Sequence, residues 1–308
     1  MSTFTIHFRM KDVFSEAEGY LELGMPQHAL EVLERCAPYG WEHRTEFLYL
    51  QAEALRELDR LDEAAGVLEE ALVHDPSELR LRLALGWCRL GMEQPEHTLE
   101  VLRAAENDAY GSRFQVLFLR GLALRDLERY EEAAGVLEDS LAEEPDQARA
   151  RLALGWCRLG MNDPRGTLNV LEGLEVSRGC RAQLLFLRGV AHRDVGEFEP
   201  AIDLLREASR RSPHNVHVWL ALAGCFKRAG RMASAVEALK AGLQADDAEA
   251  AVRYNLACCW SLTGDRDRAM RFLAEAVAID ADYRLLSLEE PDFDPIRKDV
   301  EFQTLVGQ

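Results

Sequence analysis

A leucine set four places after a small residue, as in EAAGVL, recurs at Leu33, Leu68, Leu102, Leu137, Leu171, Leu205, Leu239 and Leu273, in steps of 34 or 35 residues. The recurrence extends well beyond one position. The segment DEAAGVLEEALVHDPSELRLRLALGWCRLGM, from Asp62, returns 69 residues later, from Glu131, as EEAAGVLEDSLAEEPDQARARLALGWCRLGM. Two units of about 34 residues fit that offset, which is the period of a helix–turn–helix repeat, so the pattern predicts eight helical hairpins. Pro95 and Pro164 fall in the turns of two such hairpins. Mid-helix proline costs about 3 kcal/mol, whereas a first turn tolerates it, so both mark the start of a second helix. The breaks DPS, EPD and SPHN between units supply breakers and caps for the next helix.

Small residues recur in the first helix (A) of each unit at Ala17, Ala52, Gly86, Gly121, Gly155, Gly189, Ala223 and Ala257. Opposite them in the second helix (B) fall Ala29, Ala64, Thr98, Ala133, Thr167, Ala201, Ala235 and Ala269. Only small side chains let two helix axes approach closely. On these residues, from about Lys11 to Asp282, the chain resembles the tetratricopeptide family. The units are degenerate: the family's early tryptophan is matched cleanly only by Trp219, and its closing proline only by Pro76, Pro145 and Pro213. The resemblance implies an all-α, right-handed superhelical solenoid of about eight hairpins plus a C-terminal capping helix. Its units fall near 11–43, 45–78, 79–112, 114–147, 148–181, 182–215, 216–249 and 250–282.

The flanks depart from the period. Residues 1–10 contain TFTIHF, whose alternation predicts an extended arm, with a groove of the same or a neighbouring chain as one place for it to lie. Residues 283–308 end in an amphipathic stretch from Pro295 to Val306 and resemble a tail that often closes bacterial arrays of the family. Their simplest reading is a cap over the last apolar face.

Charge narrows the partners. With 36 Lys+Arg against 54 Asp+Glu the net charge is -18, which opposes non-specific binding to nucleic acid or an anionic membrane. No stretch is apolar enough to span a bilayer, and MSTFTIHFRMKDVF lacks the features of a secretory signal, so the expected location is cytoplasmic. The seven cysteines are odd in number, and Cys88, Cys157 and Cys225 sit in similar helical segments, as buried small hydrophobes would.

In the family the A helices line a concave surface, and the resemblance implies that their outward positions meet a partner. The fifth place holds Phe14, Tyr49, Leu83, Phe118, Leu152, Phe186, Leu220 and Tyr254, with Trp87 and Trp156 four residues beyond their leucines and on the same face. This is an aromatic and aliphatic stripe suited to anchoring apolar side chains. Packing of one A helix on the next is the alternative, most of all for the leucines. Cations accompany the stripe at Arg56, Arg125, Arg193 and Lys227, and near helix starts at Lys11, Arg80 and Arg149. They offer forks for a partner's carboxylates or phosphates, or pair locally with Glu57, Asp126 and Asp194.

The family's carboxylate clamp is not reproduced, since asparagine stands at its sixth place only in Asn255. There is no P-loop, dinucleotide glycine fingerprint, GxSxG elbow or HExxH helix, so no enzyme and no cofactor is expected. His214 and His217 form an incomplete zinc pair and read as surface polar residues. The expected role is a scaffold that binds an extended peptide or helix of another protein. Self-assembly of the chain and sensing of a small ligand or short peptide are the other readings.

Overall fold

The computed structural model describes residues 3–35, 43–103, 113–246 and 248–307, with the backbone alone given for residues 3–10. Every described element is a helix, and the chain divides into two compact units, Met1–Met161 and Asn162–Gln308. In the first unit the helices are α1 (Thr3–Glu22), α2 (Pro26–Glu34), α3 (Arg44–Glu57), α4 (Leu61–His74), α5 (Leu79–Gly91), α6 (Pro95–Arg103), α7 (Arg113–Asp126), α8 (Tyr130–Glu143) and α9 (Ala148–Gly160). The second holds α10 (Pro164–Leu171), α11 (Arg178–Asp194), α12 (Phe198–Arg211), α13 (Val216–Arg228), α14 (Met232–Ala245), α15 (Ala250–Leu262), α16 (Arg266–Ile279), α17 (Tyr283–Glu289), a 3-10 turn at Pro291–Phe293, and α18 (Val300–Val306). Within each unit every helix packs on the next, which makes the fold an all-α solenoid.

The repeated leucines form its spine. All eight, from Leu33 to Leu273, are at most 1% exposed. Burying one such side chain is worth about 1.5–3 kcal/mol, and the same leucine recurs once per hairpin. Helix axes approach closely where the small residues meet. A Cβ on Gly86 would lie 2.8 Å from a Leu119 methyl, and one on Gly121 would lie 2.6 Å from Leu137 Cγ.

Within the two units each hairpin turn reverses through one left-handed residue. These are Gly24, Asp59, Glu93, Glu128, Gly196, Gly230 and Gly264; Asn162, the first residue of the second unit, is left-handed at the same period as the leucines. The following amide bonds back to the end of the first helix, as Arg60 N does to Leu55 O at 2.9 Å and Arg129 N to Leu124 O at 2.9 Å. This closure satisfies a carbonyl that the helix end leaves open.

The extended arm expected at residues 1–10 is not extended. From Thr3 the backbone is helical and continues without a break to Glu22 as α1. Six alternating residues are too few to specify a strand, and no glycine or proline separates them from the helical pattern that follows. Their side chains lie outside the described residues.

After α16 the chain folds back over the last hairpin. Phe293 and Phe302 are at most 1% exposed, with ring centroids 5.6 Å apart, and they join Tyr254, Leu273, Val277, Ile296 and Val306 in one buried cluster. Arg266, at the start of α16, holds α18 by donating from Nη2 to Asp299 at 2.9 Å and to Glu301 at 2.8 Å.

A cleft on the first helices of consecutive hairpins

In the first unit α3, α5, α7 and the start of α9 are the first helices of successive hairpins, and their outward faces enclose a cleft of about 830 Å³. Tyr49, Glu53 and Arg56 come from α3, Leu83 and Trp87 from α5, Phe114 and Phe118 from α7, and Arg149 from α9. Successive members on one helix are three or four residues apart, which keeps them on one face.

Trp87 is the large side chain that the cleft leaves in solvent, at 38% exposed. Its ring lies 6.1 Å from that of Phe118, which stacks on Phe114 at 5.7 Å with the planes 9° apart. The three rings make an apolar floor, largely preformed because each stands on a helix.

Cations ring this floor. The Arg80 guanidinium lies 4.2 Å above the Tyr49 ring and pairs with Glu46 at 2.5 Å. Arg56 chelates Glu53, with Nε at 3.1 Å and Nη2 at 2.6 Å. Burial pushes the Tyr49 hydroxyl above its ordinary pKa, and the Glu53 carboxylate adds to that, so the phenol stays protonated at neutral pH. Glu78, the other acid on the cleft wall, turns to Arg80, accepting from its backbone amide at 3.3 Å.

Of the residues that the sequence singles out, Tyr49, Arg56, Arg80, Leu83, Trp87, Phe118 and Arg149 come together here. Phe118 belongs mainly to the floor, since its ring is 8% exposed. Phe114 belongs beside it and was not singled out, although its spacing of four from Phe118 was there to read.

The remainder divide differently. Phe14 is buried with its ring edge-on to His43, and Leu152 is 1% exposed in the core, so neither offers a surface to a partner. Their places face neighbouring helices because consecutive first helices pack on each other, as α1 does on α3 and α7 on α9. Arg125 and Arg193 are held by the acids that follow them, with Nε 2.9 Å from Asp126 and 2.7 Å from Asp194. Trp156, Phe186 and Leu220 are half-buried on α9, α11 and α13.

Tyr254 and Lys227 are covered by the C-terminal segment. Tyr254 lies under Tyr283 at 4.7 Å and Phe293 at 5.5 Å, and the Lys227 ammonium is paired with Asp292. Neither is open to a partner, contrary to the expectation from their repeat positions. The ion pair joins residues 65 apart, so nothing local announces it.

One group of possible metal ligands, Cys258, Glu290 and Asp292, lies nearby among the described residues. Burial pushes the Cys258 thiol far up, and the Lys227 ammonium pairs with Asp292. His214 and His217 are exposed and belong to no such group among the described residues. No described helix is long and apolar enough to cross a membrane.

These features define a class, an array of helical hairpins that presents the faces of its first helices. Tetratricopeptide repeat family models match residues 15–111, 118–162, 193–248 and 228–288. The chain belongs to the tetratricopeptide repeat family, whose arrays are in general scaffolds for protein–protein interaction. Its fold is similar to the crystal structure of a tetratricopeptide repeat protein from Parabacteroides merdae, with 14% identity and a TM-score of 0.63, over 86% of this chain and 100% of that one. It is also similar to PilW, described as a widely conserved type IV pilus biogenesis factor, with 17% identity and a TM-score of 0.59, over 66% of this chain and 93% of that one. No curated protein matches the sequence.

Proposed function

We propose that the cleft between α3, α5, α7 and α9 binds an extended segment of a partner protein. The observation that carries this reading is Trp87, a large ring left 38% exposed beside Phe118 in a cleft rimmed by arginines. A tryptophan in an apolar recess, with polar groups at the rim, is the composition of a binding hot spot. Its placement on rigid helices means that little ordering entropy is lost when a partner arrives. The test is selection of peptides from a random library against the full chain. Selected peptides should lose about tenfold or more in affinity for Trp87→Ala, with an unchanged unfolding midpoint. Peptides that bind wild type and Trp87→Ala alike would place the site elsewhere.

Self-assembly is a second reading, favoured by α17, where Leu285, Leu286 and Leu288 are 69%, 55% and 46% exposed. Three exposed leucines on one short helix are a surface that a second copy could cover. Light scattering over a hundredfold concentration range tests it: mass that rises for wild type and not for Leu285→Glu supports it, and a constant monomer mass removes it.

A further inference from the structure

The chain contains a worked example of how its own first-helix face holds a peptide. In the second unit Asp292 pairs with Lys227 of α13, and the next residue, Phe293, sets its ring edge-on to Tyr254 of α15 at 5.5 Å and 78°. Phe293 is fully buried there and shares its cluster with Cys258. One acidic side chain and the ring after it thus span two consecutive first helices.

The repeat carries this arrangement to the first unit. Lys227 stands seven residues after Leu220, and Tyr254 stands 34 after it; Arg56 stands seven after Tyr49, and Leu83 stands 34 after it. Cys258, four residues beyond Tyr254, corresponds to Trp87, four beyond Leu83. The cation and the apolar platform that Asp292 and Phe293 use in one place therefore recur as Arg56 with Leu83 and Trp87 in the other. There no segment of the described chain covers them, and all three line the 830 Å³ cleft.

Charge in the cleft favours the same occupant. Arg56 spends Nε and Nη2 on Glu53, which leaves the Nη1 edge of its fork with no partner among the described residues. Arg149 is exposed on the same wall and makes no ion pair among the described residues. The two wall acids are engaged, Glu53 by Arg56 and Glu78 by Arg80. Two unsatisfied cationic edges beside an exposed indole suit a carboxylate followed by a ring, and a guanidinium fork takes a second carboxylate oxygen with little rearrangement.

We propose that the occupant of this cleft is a partner-protein segment in which Asp or Glu is followed by an aromatic residue, held as the chain holds its own Asp292 and Phe293. The assignment rests on the reading of the cleft as a peptide site and names the peptide's chemistry.

The probe is a labelled synthetic peptide, LEEPDFDPI, the sequence of residues 288–296, titrated into the full chain. Saturable binding is expected, weakened about tenfold or more by Arg56→Gln, by Trp87→Ala, and by Asp292→Asn or Phe293→Ala made in the peptide alone. Arg210→Ala, far along the chain on α12, should leave affinity within about twofold, and thermal unfolding verifies that each variant is folded. Absence of binding, or binding indifferent to Arg56→Gln and Trp87→Ala, overturns the proposal. So does binding weakened by Lys227→Gln but not by Arg56→Gln, which would mean that the probe displaces its own counterpart in the second unit. Concentration-dependent mass abolished by Trp87→Ala would put a second copy in the cleft and likewise overturn it. Library peptides that need Trp87 but carry no acid–aromatic pair would leave the peptide site standing and sink this assignment alone.

Discussion

The hydroxyl of Thr98 donates to the carbonyl of Gly86 at 3.2 Å, across the crossing of α5 and α6, with both residues shut away from solvent. The same hydroxyl also reaches the Gln94 carbonyl at 3.3 Å. At this crossing a glycine supplies closeness and a small hydroxyl supplies a bond, so the two helices are fastened where they are nearest. The fit leaves no room for growth, and that sets the first expectation.

Gly121 and Gly135 lie in neighbouring helices of one hairpin, yet alanine should act on them in opposite directions. A Cβ at Gly121 meets Leu137 at 2.6 Å, while one at Gly135 meets nothing within 4 Å. Gly121→Ala should cost about 1–3 kcal/mol through overpacking. Gly135→Ala should gain about 0.5–1 kcal/mol from helix propensity. Urea unfolding of the two variants checks both signs, and equal shifts would contradict the crossing geometry.

Three of the seven hairpin turns within the two units place a residue other than glycine in the left-handed region, among them Glu128 at φ 57°. That conformation costs roughly 1–2 kcal/mol for an ordinary residue. Glycine relieves it but loses more freedom on folding. Glu128→Gly should therefore raise stability by up to about 1 kcal/mol, seen as a higher urea midpoint. A lower midpoint would show that the side chain, rather than the backbone, sets the turn.

Acid should weaken the fastening of α18. Arg266 holds the Asp299 carboxyl down at about 2, against about 3.9 for a free aspartate. A carboxyl whose pKa is lower in the folded state stabilises fully above the unfolded value and loses that contribution as pH falls toward 2. The stability gap between wild type and Asp299→Asn should thus narrow as pH falls from 5 to 2. A gap that stays constant over that range would dismiss the pair as a contributor.

Thiol reactivity should rank by burial. Burial pushes Cys88, Cys157, Cys225 and Cys259 up to about 11 and Cys258 higher still, whereas Cys180 is only half-buried. Among these six, alkylation at pH 7.5 followed by peptide mass mapping should find Cys180 modified first. Early modification of Cys88 or Cys157 would mean that the hairpins holding them open readily.

The repeat was legible because its signal is redundant: the leucine at one register, the small residues at two others, and a 69-residue near-copy all state the same period. What one chain position does within a face was legible only in part. Phe14, Leu83, Leu152 and Tyr254 occupy one register, yet one helix leaves Leu83 half-open while packing hides the other three. That difference depends on which neighbours are large, a property of three helices together and not of any one. The Lys227–Asp292 pair was out of reach for a related reason, since a contact across 65 residues outside the period carries no spacing to detect.

Time enters through Phe293. The apolar surface that it closes, built from Tyr254, Leu273 and Val277, is assembled from chain made before the segment that covers it. At about 5–20 residues per second, roughly 30 more residues must follow Val277 before Val306 exists, so during synthesis this surface waits a few seconds for its cover to be made. For that interval the nascent array is stickiest at its growing end, and whatever attends the ribosome meets an unfinished edge there.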